Sequence, residues 1–382
     1  LGPELEWNRG SLFRLLGGGK DFFIYRLRQG GRKKKMAGLL ERYRKYFPIT
    51  DDTPIETLGE GETPLVKLNK IGSELGVELY GKYEGANPTG SFKDRGMVLA
   101  MAKAAEGGAK AVICASTGNT SASAAAYAAR FGLKCYVLLP AGKVAMGKLS
   151  QALVYGAKVI AIRGNFDRAL ELARKASSEM GLAIVNSVNP YRLWGQRSGA
   201  WEVCDELGVS PDWMVLPVGN AGNITAYWTG FVQYKNEGKI KKVPQMVGIQ
   251  AQGASPLVSG ESFPNPETVA TAIRIGHPVN GKKAAWAVRM SGGFFSAVSD
   301  EEILLAQKEL ASKEGVFAEP ASCAPLAGLK KAKREGKLPE GIKVVMVLTG
   351  NGLKDPQVIL SGQEEICEID GDESQLREVL SQ

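Results

Sequence analysis

At 382 residues, with 44% hydrophobic and 23% charged residues, the chain has ample material for two domains or one large one. Its formal charge of +8 is unevenly placed, because residues 1–35 carry nine Lys/Arg against three acids and leave the other 347 residues at only +2. That nearly neutral body gives no reason for a nucleic-acid or membrane partner, and no apolar run reaches the roughly 18–20 residues of a membrane helix.

Residues 1–35 differ in character from the rest of the chain. They hold two glycine clusters and the basic run 32–35, and ordinary protein text begins at Met36. The segment is expected to be read-through ahead of a natural start, or an added leader, and to be poorly ordered. A transit peptide is the alternative, which the single Ser11 argues against.

The stretch 87–97 reads Asn-Pro-Thr-Gly-Ser-Phe-Lys-Asp-Arg-Gly-Met. Lys93 stands between a turn-forming segment and the first turn of a helix. A partly buried lysine loses its proton more readily and can form an imine with an aldehyde. If that aldehyde belongs to pyridoxal 5'-phosphate, the chain must also supply a phosphate cradle and partners for the ring hydroxyl and ring nitrogen.

From about residue 78, short β-branched runs alternate with Ala-rich helical stretches. Strands are expected at 111–115, 135–139, 158–162, 182–186, 213–217, 245–250 and 343–348. Helices are expected at 119–131, 146–155, 166–180, 192–207 and 221–235. This alternation predicts parallel sheets covered by helices, an α/β fold. Residues 251–295 break the rhythm with Gly and Pro and are expected to be an irregular active-site or interface segment.

Ligands of open α/β sheets bind beyond the carboxyl ends of strands, and three such ends here are Gly/Asn-rich. Ser116-Thr117-Gly118-Asn119-Thr120 follows the first strand; its amides and hydroxyls can hold a carboxylate and Asn119 can bond a cofactor hydroxyl, or the turn is a simple N-cap. Gly219-Asn220-Ala221-Gly222-Asn223 can form an anion nest at a helix start, or be merely a turn. It is neither a Walker loop nor a dinucleotide fingerprint. Thr349, in Leu348-Thr349-Gly350-Asn351-Gly352, ends a strand and can offer its hydroxyl to a ring nitrogen, or is merely a strand end. Asn186, Ser187 and Arg192 cluster near another strand end, where the arginine either grips a phosphate or is simply solvated.

Cys114, Cys135, Cys204, Cys323 and Cys367 form no Cys-x-x-Cys pair and read as reduced thiols, without a disulfide framework or zinc site. His277 is the only histidine. It sits in a Gly/Pro loop and reads as structural, so proton transfers need another base.

The motifs, in their order and spacing, resemble the threonine synthases, pyridoxal-phosphate enzymes of the tryptophan-synthase-β-like group (fold type II). The matches are Gly-Glu-Gly-Glu-Thr-Pro-Leu at 59–65, the 87–97 stretch, 116–120, 186–192, 219–223, Glu-Pro-Ala-Ser at 319–322, and 348–352. The resemblance implies two parallel-sheet α/β domains with the cofactor in the cleft between them. The large domain would comprise 36–97 and 188–382, and the small inserted one 98–187. It implies that Lys93 bonds the cofactor aldehyde and then serves as the base, that Asn119 partners the ring hydroxyl and Thr349 the ring nitrogen. It gives the cofactor phosphate to Gly219, Asn220, Ala221, Gly222 and Asn223. It gives the substrate carboxylate to Ser116, Thr117 and Thr120, and the substrate phosphate to Asn186, Ser187 and Arg192. The implied reaction converts O-phospho-L-homoserine and water to L-threonine and phosphate, in a cytoplasmic homodimer without nucleic-acid, membrane or metal partners. Control by S-adenosylmethionine is not implied. The rivals are a threonine/serine dehydratase, which predicts a four-glycine phosphate loop and Ser-Gly-Asn-His after the first strand, and a non-catalytic pyridoxal-phosphate-binding homologue.

Overall fold

In the computed structural model, residues 38–141, 146–164, 166–356, 369, 371 and 373–381 are described. The expectations for 1–35 and for Cys367 lie outside the described residues. Ten strands are present among them: β1 (Leu65–Lys67), β2 (Glu78–Tyr83), β3 (Ala111–Ala115), β4 (Lys134–Pro140), β5 (Lys158–Ile162), β6 (Ala183–Ile184), β7 (Trp213–Pro217), β8 (Gln245–Ala251), β9 (Phe294–Val298) and β10 (Lys343–Leu348). They form a six-stranded sheet in the order β1-β2-β10-β7-β8-β9 and a four-stranded sheet in the order β5-β4-β3-β6. All pairings are parallel except β1 with β2.

The strand sequences explain this arrangement. Every residue of β3 (Ala-Val-Ile-Cys-Ala) and β7 (Trp-Met-Val-Leu-Pro) is buried. A strand covered by helices on both faces needs a continuous apolar run rather than alternation. The central β10 is likewise buried beyond its first residue.

Three elements depart from the sequence expectation, each for a local reason. The strand expected at 182–186 is reduced to Ala183–Ile184. Beyond it, the Val185 amide still donates to the Ile113 carbonyl (3.0 Å), and the Asn186 side chain then takes over pairing with Ala115. The helix expected at 192–207 is two helices, Pro190–Gln196 and Ser198–Leu207. The first starts on Asn189, whose side chain accepts from the Tyr191 amide, with Pro190 in the first turn. Residues 251–295, expected to be irregular, contain the helix Gly281–Met290 and the start of β9. Its buried Ala284, Ala287 and Val288 have helical spacing, in a stripe too short to outweigh the surrounding Gly and Pro.

One close crossing sets the site. The helix Lys93–Glu106 meets Pro190–Gln196 backbone to backbone at Gly96 and Gly195. A Cβ on Gly195 would lie 2.0 Å from the Arg95 carbonyl oxygen, and one on Gly96 would lie 2.5 Å from that of Arg192. Only glycine lets these helices approach so closely.

Candidate active site

Lys93 is the first residue of its helix, and the turn before it is anchored to the end of β10. The Phe92 amide donates to the Thr349 carbonyl (3.0 Å), and Ser91 bridges to Gly350. On the other side, buried Asp94 accepts from the Thr89 amide (2.7 Å) and hydroxyl (2.6 Å), fixing the Asn-Pro-Thr-Gly turn. Burial raises the Asp94 carboxyl to about 6 although these bonds pull the other way.

The Lys93 amine lies 3.9 Å from the centre of the Phe92 ring. The side chain keeps partial exposure, but the protein around the amine desolvates it and pushes its pKa down to about 7. Nearby Arg192 pushes the same way, and Glu319 opposes both. Lys93 therefore holds its proton weakly near neutral pH.

Arg192 is buried beside it at the glycine crossing. One terminal nitrogen donates to the Val185 carbonyl (2.6 Å), while Nε is buried with no hydrogen-bond partner among the described residues. Burial lowers its pKa to about 10. A buried guanidinium with an unpaired donor is suited to an anionic ligand.

Around this pair the predicted residues arrive on strand ends. Ser116, Thr117, Asn119 and Thr120 follow β3 and are partly exposed, and the Ser116 hydroxyl accepts from the Gly118 amide (3.3 Å). Asn119 Nδ2 donates to both carboxylate oxygens of Glu319, at 3.2 and 2.9 Å. Asn186 is buried, and both its amide atoms bond the Ala115 backbone (2.9 and 2.8 Å), so it braces the start of the 116–120 turn. Ser187 is partly exposed, and its carbonyl lies 3.5 Å from Asn280 Nδ2.

The 219–223 turn follows β7 and opens the helix Gly222–Asn236. Ala221 adopts a left-handed conformation (φ 61°, ψ 8°), unusual for a residue with a Cβ. Asn280, in the segment expected to be irregular, ties its amide to the Asn220 carbonyl (3.1 Å). Asn223 is buried, and neither atom of its carboxamide has a partner among the described residues. Thr349 is buried at the end of β10, with its hydroxyl 2.9 Å from that of Ser322 and 3.4 Å from a Glu319 oxygen.

Sequence reasoning gave Glu319 and Asn280 no role. Glu319 carried a signal, an acid immediately before a helix-starting proline in a family motif; Asn280 carried none. The 59–65 motif serves Arg95, the fully buried arginine two residues after Lys93. Arg95 pairs with Glu84 (2.6 Å) and Glu202 (2.6 Å) and bonds the Thr63 hydroxyl (2.9 Å). His277 is exposed and 3.0 Å from the Ser262 hydroxyl. Cys114, Cys135, Cys204 and Cys323 are buried and unbridged, and no cluster suited to a metal is found among the described residues.

These features fit a phosphorylated pyridine cofactor. A helix N-terminus rich in small residues carries free amides and an unpaired buried carboxamide, and a weakly basic lysine stands near a hydroxyl and a carboxamide on other strand ends. The family model for pyridoxal-phosphate-dependent enzymes matches residues 56–350. Threonine synthase of Synechocystis is 59% identical over 84% of this chain and 84% of its own length. Threonine synthase of Halalkalibacterium halodurans is 57% identical over 85% of this chain and 91% of its own. The chain belongs to the threonine synthase family of pyridoxal-phosphate-dependent enzymes. The fold type II architecture of that family is visible in maize serine racemase, which superposes with a TM-score of 0.69 at 20% identity, covering 79% of this chain and 92% of that one. Members of the threonine synthase family are enzymes, so the cluster around Lys93 is read as an active site. No helix among the described residues is long and apolar enough to cross a membrane.

Proposed function

We propose that the chain converts O-phospho-L-homoserine and water to L-threonine and inorganic phosphate, using pyridoxal 5'-phosphate held between the ends of the two sheets. The observation carrying this reading is a lysine pushed to about 7 beside a buried arginine with an unpaired donor. A base and an anion site, side by side, are what loss of a phosphate from an amino acid demands.

Lys93 would hold the cofactor's aldehyde. The amides of Gly219, Asn220, Ala221, Gly222 and Asn223, with the Asn223 carboxamide, would hold its phosphate. Asn119 would face the ring hydroxyl and Thr349 the ring nitrogen. When bound, the cofactor acts as an electron sink for the carbon bearing the substrate's amine.

The remaining work falls to the chain. Ser116, Thr117 and Thr120 orient the substrate carboxylate at the start of the helix Asn119–Arg130. Lys93, whose amine holds its proton weakly near pH 7, would be the base that moves protons at Cα, Cβ and Cγ. Arg192, with Ser187 beside it and Asn186 bracing the strand end, receives the phosphate as the Cγ–O bond breaks. Water adds at Cβ. Thr349 is neutral and offers no charge to the ring nitrogen, which moderates the electron sink.

The same reading makes residues 98–187 a small domain inserted in a large one formed by 36–97 and 188–382. The four-stranded sheet lies within the first range. It also makes the protein a cytoplasmic homodimer.

The deciding experiment supplies O-phospho-L-homoserine to the cofactor-loaded chain and follows phosphate and L-threonine. Equimolar release of both is expected. Release of 2-oxobutyrate from threonine without phosphate chemistry would assign a dehydratase instead.

A further inference from the structure

We infer that Glu319 is a positioning residue that holds the Asn119 carboxamide with its NH2 group toward the cofactor ring. This rests on the reading of Asn119 as the partner of the ring hydroxyl and adds the residue that makes it a donor.

Glu319 immediately precedes the helix Pro320–Arg334, yet makes no side-chain cap bond to it. A carboxylate there would ordinarily turn back onto the first free amides. Instead it is buried and reaches Asn119, 200 positions away, with both oxygens within 3.2 Å of Nδ2. One oxygen also lies 3.4 Å from the Thr349 hydroxyl. Its packing is reserved by Gly350, where a Cβ would stand 2.5 Å from Oε1. One carboxylate thus touches both side chains read as ring contacts, and joins the end of β3 in one sheet to the end of β10 in the other.

The consequence is chemical. A carboxamide can face a ring either way round, and its two ends differ only in donating or accepting. Burial raises the Glu319 carboxyl, while the Asn119 bond and the charges of Lys93 and Lys354 favour its ionised form. An ionised carboxylate only accepts, so the end facing it is NH2. That nitrogen carries a second hydrogen. With one hydrogen shared between the carboxylate oxygens, the other is available as a donor to an oxygen on the ring. A flipped amide would present its carbonyl to that oxygen and repel it. Glutamine at 319 could donate as well as accept, so it would remove the constraint while keeping the volume.

The test uses the full chain and follows pyridoxal 5'-phosphate affinity and visible absorption in Glu319→Gln, Asn119→Ala and the double variant. Glu319→Gln is expected to weaken cofactor binding about tenfold, the scale of one charge-assisted hydrogen bond, and to shift the visible maximum. Asn119→Ala should do the same, and the double variant should be no worse than Asn119→Ala alone. Losses that multiply would overturn the inference, because Glu319 would then act without Asn119. So would a Glu319→Gln protein with a lowered apo melting temperature but wild-type affinity and spectrum. If Asn119→Ala itself binds and absorbs as wild type, the Asn119 assignment fails and takes the inference with it. Gly350→Ala displaces the carboxylate without removing its charge, and should reproduce the spectral shift should Glu319→Gln fail to fold.

Discussion

At the scale of single residues, the proposed chemistry rests on Lys93 and the nearby Arg192. Desolvation by the surrounding protein is the main cause of the weakened basicity of Lys93, and the charge of nearby Arg192 adds to it. The amine must be neutral to attack an aldehyde. Capture of pyridoxal 5'-phosphate by the apoprotein should therefore accelerate as pH rises through about 7, the pKa at Lys93, rather than near 10.5. Stopped-flow absorbance reads this, and a midpoint near 10 would mean the amine is solvated. Lys93→Ala should show neither the visible band nor turnover. Arg192 makes a separable prediction. In the proposed reading its unpaired Nε serves the substrate and not the cofactor, so Arg192→Ala should raise KM for O-phospho-L-homoserine by about 10- to 150-fold, given about 1.5–3 kcal/mol per charge-assisted bond. Cofactor affinity should change little, and equal loss of both would remove Arg192 from the substrate pocket.

At the scale of elements, the sequence was most legible where one apolar period dominated. β3, β5, β7 and β10 fall where their continuous apolar runs place them. It was least legible where a side chain replaces backbone, as Asn186 does beyond β6, and where a glycine serves a contact distant in sequence. Gly195 read as an ordinary helix residue, yet it is the contact point of the crossing that sets Arg192 beside Lys93. Gly195→Ala forces a Cβ to within 2.0 Å of the Arg95 carbonyl oxygen, so one helix must move. We expect a cost of about 1–3 kcal/mol, the usual range for overpacking, read from the urea midpoint. The KM for the phosphorylated substrate should rise in the same variant, because a shift of either helix changes the placement of Arg192 relative to Lys93. An unchanged midpoint would show that the crossing relaxes freely.

At the scale of the whole molecule, the strand ends that converge on the site are set by the folding of remote segments. Periodicity predicted parallel sheets but could not say that Asn119 would meet Glu319. The motif resemblance supplied the residue roles but left Glu319 and Asn280 without any. The scaffold beneath the Lys93 helix is ionic. Arg95 joins Glu84, Thr63 and Glu202, and Lys82 also reaches Glu202 (3.2 Å). Burial alone would raise the Glu202 carboxyl, but Arg95 and Lys82 outweigh it and hold it at about 2, below its ordinary 4.5. A carboxyl depressed on folding contributes stability that is full above its unfolded pKa and is lost as pH falls through the folded one. Asp94 acts with the opposite sign. Raised from 3.8 to about 6, it favours the fold most below 3.8 and less as pH climbs past 6. The two contributions overlap in any single stability curve, so the informative quantity is the difference between wild type and Glu202→Gln, from which Asp94 largely cancels. That difference should be about 3–5 kcal/mol at pH 7, the cost of breaking a buried pair. It should shrink steadily from about pH 4.5 toward pH 2 as the native carboxylate takes up its proton. A gap that stays constant across this range would mean that Glu202 holds the scaffold by shape, with its charge contributing nothing.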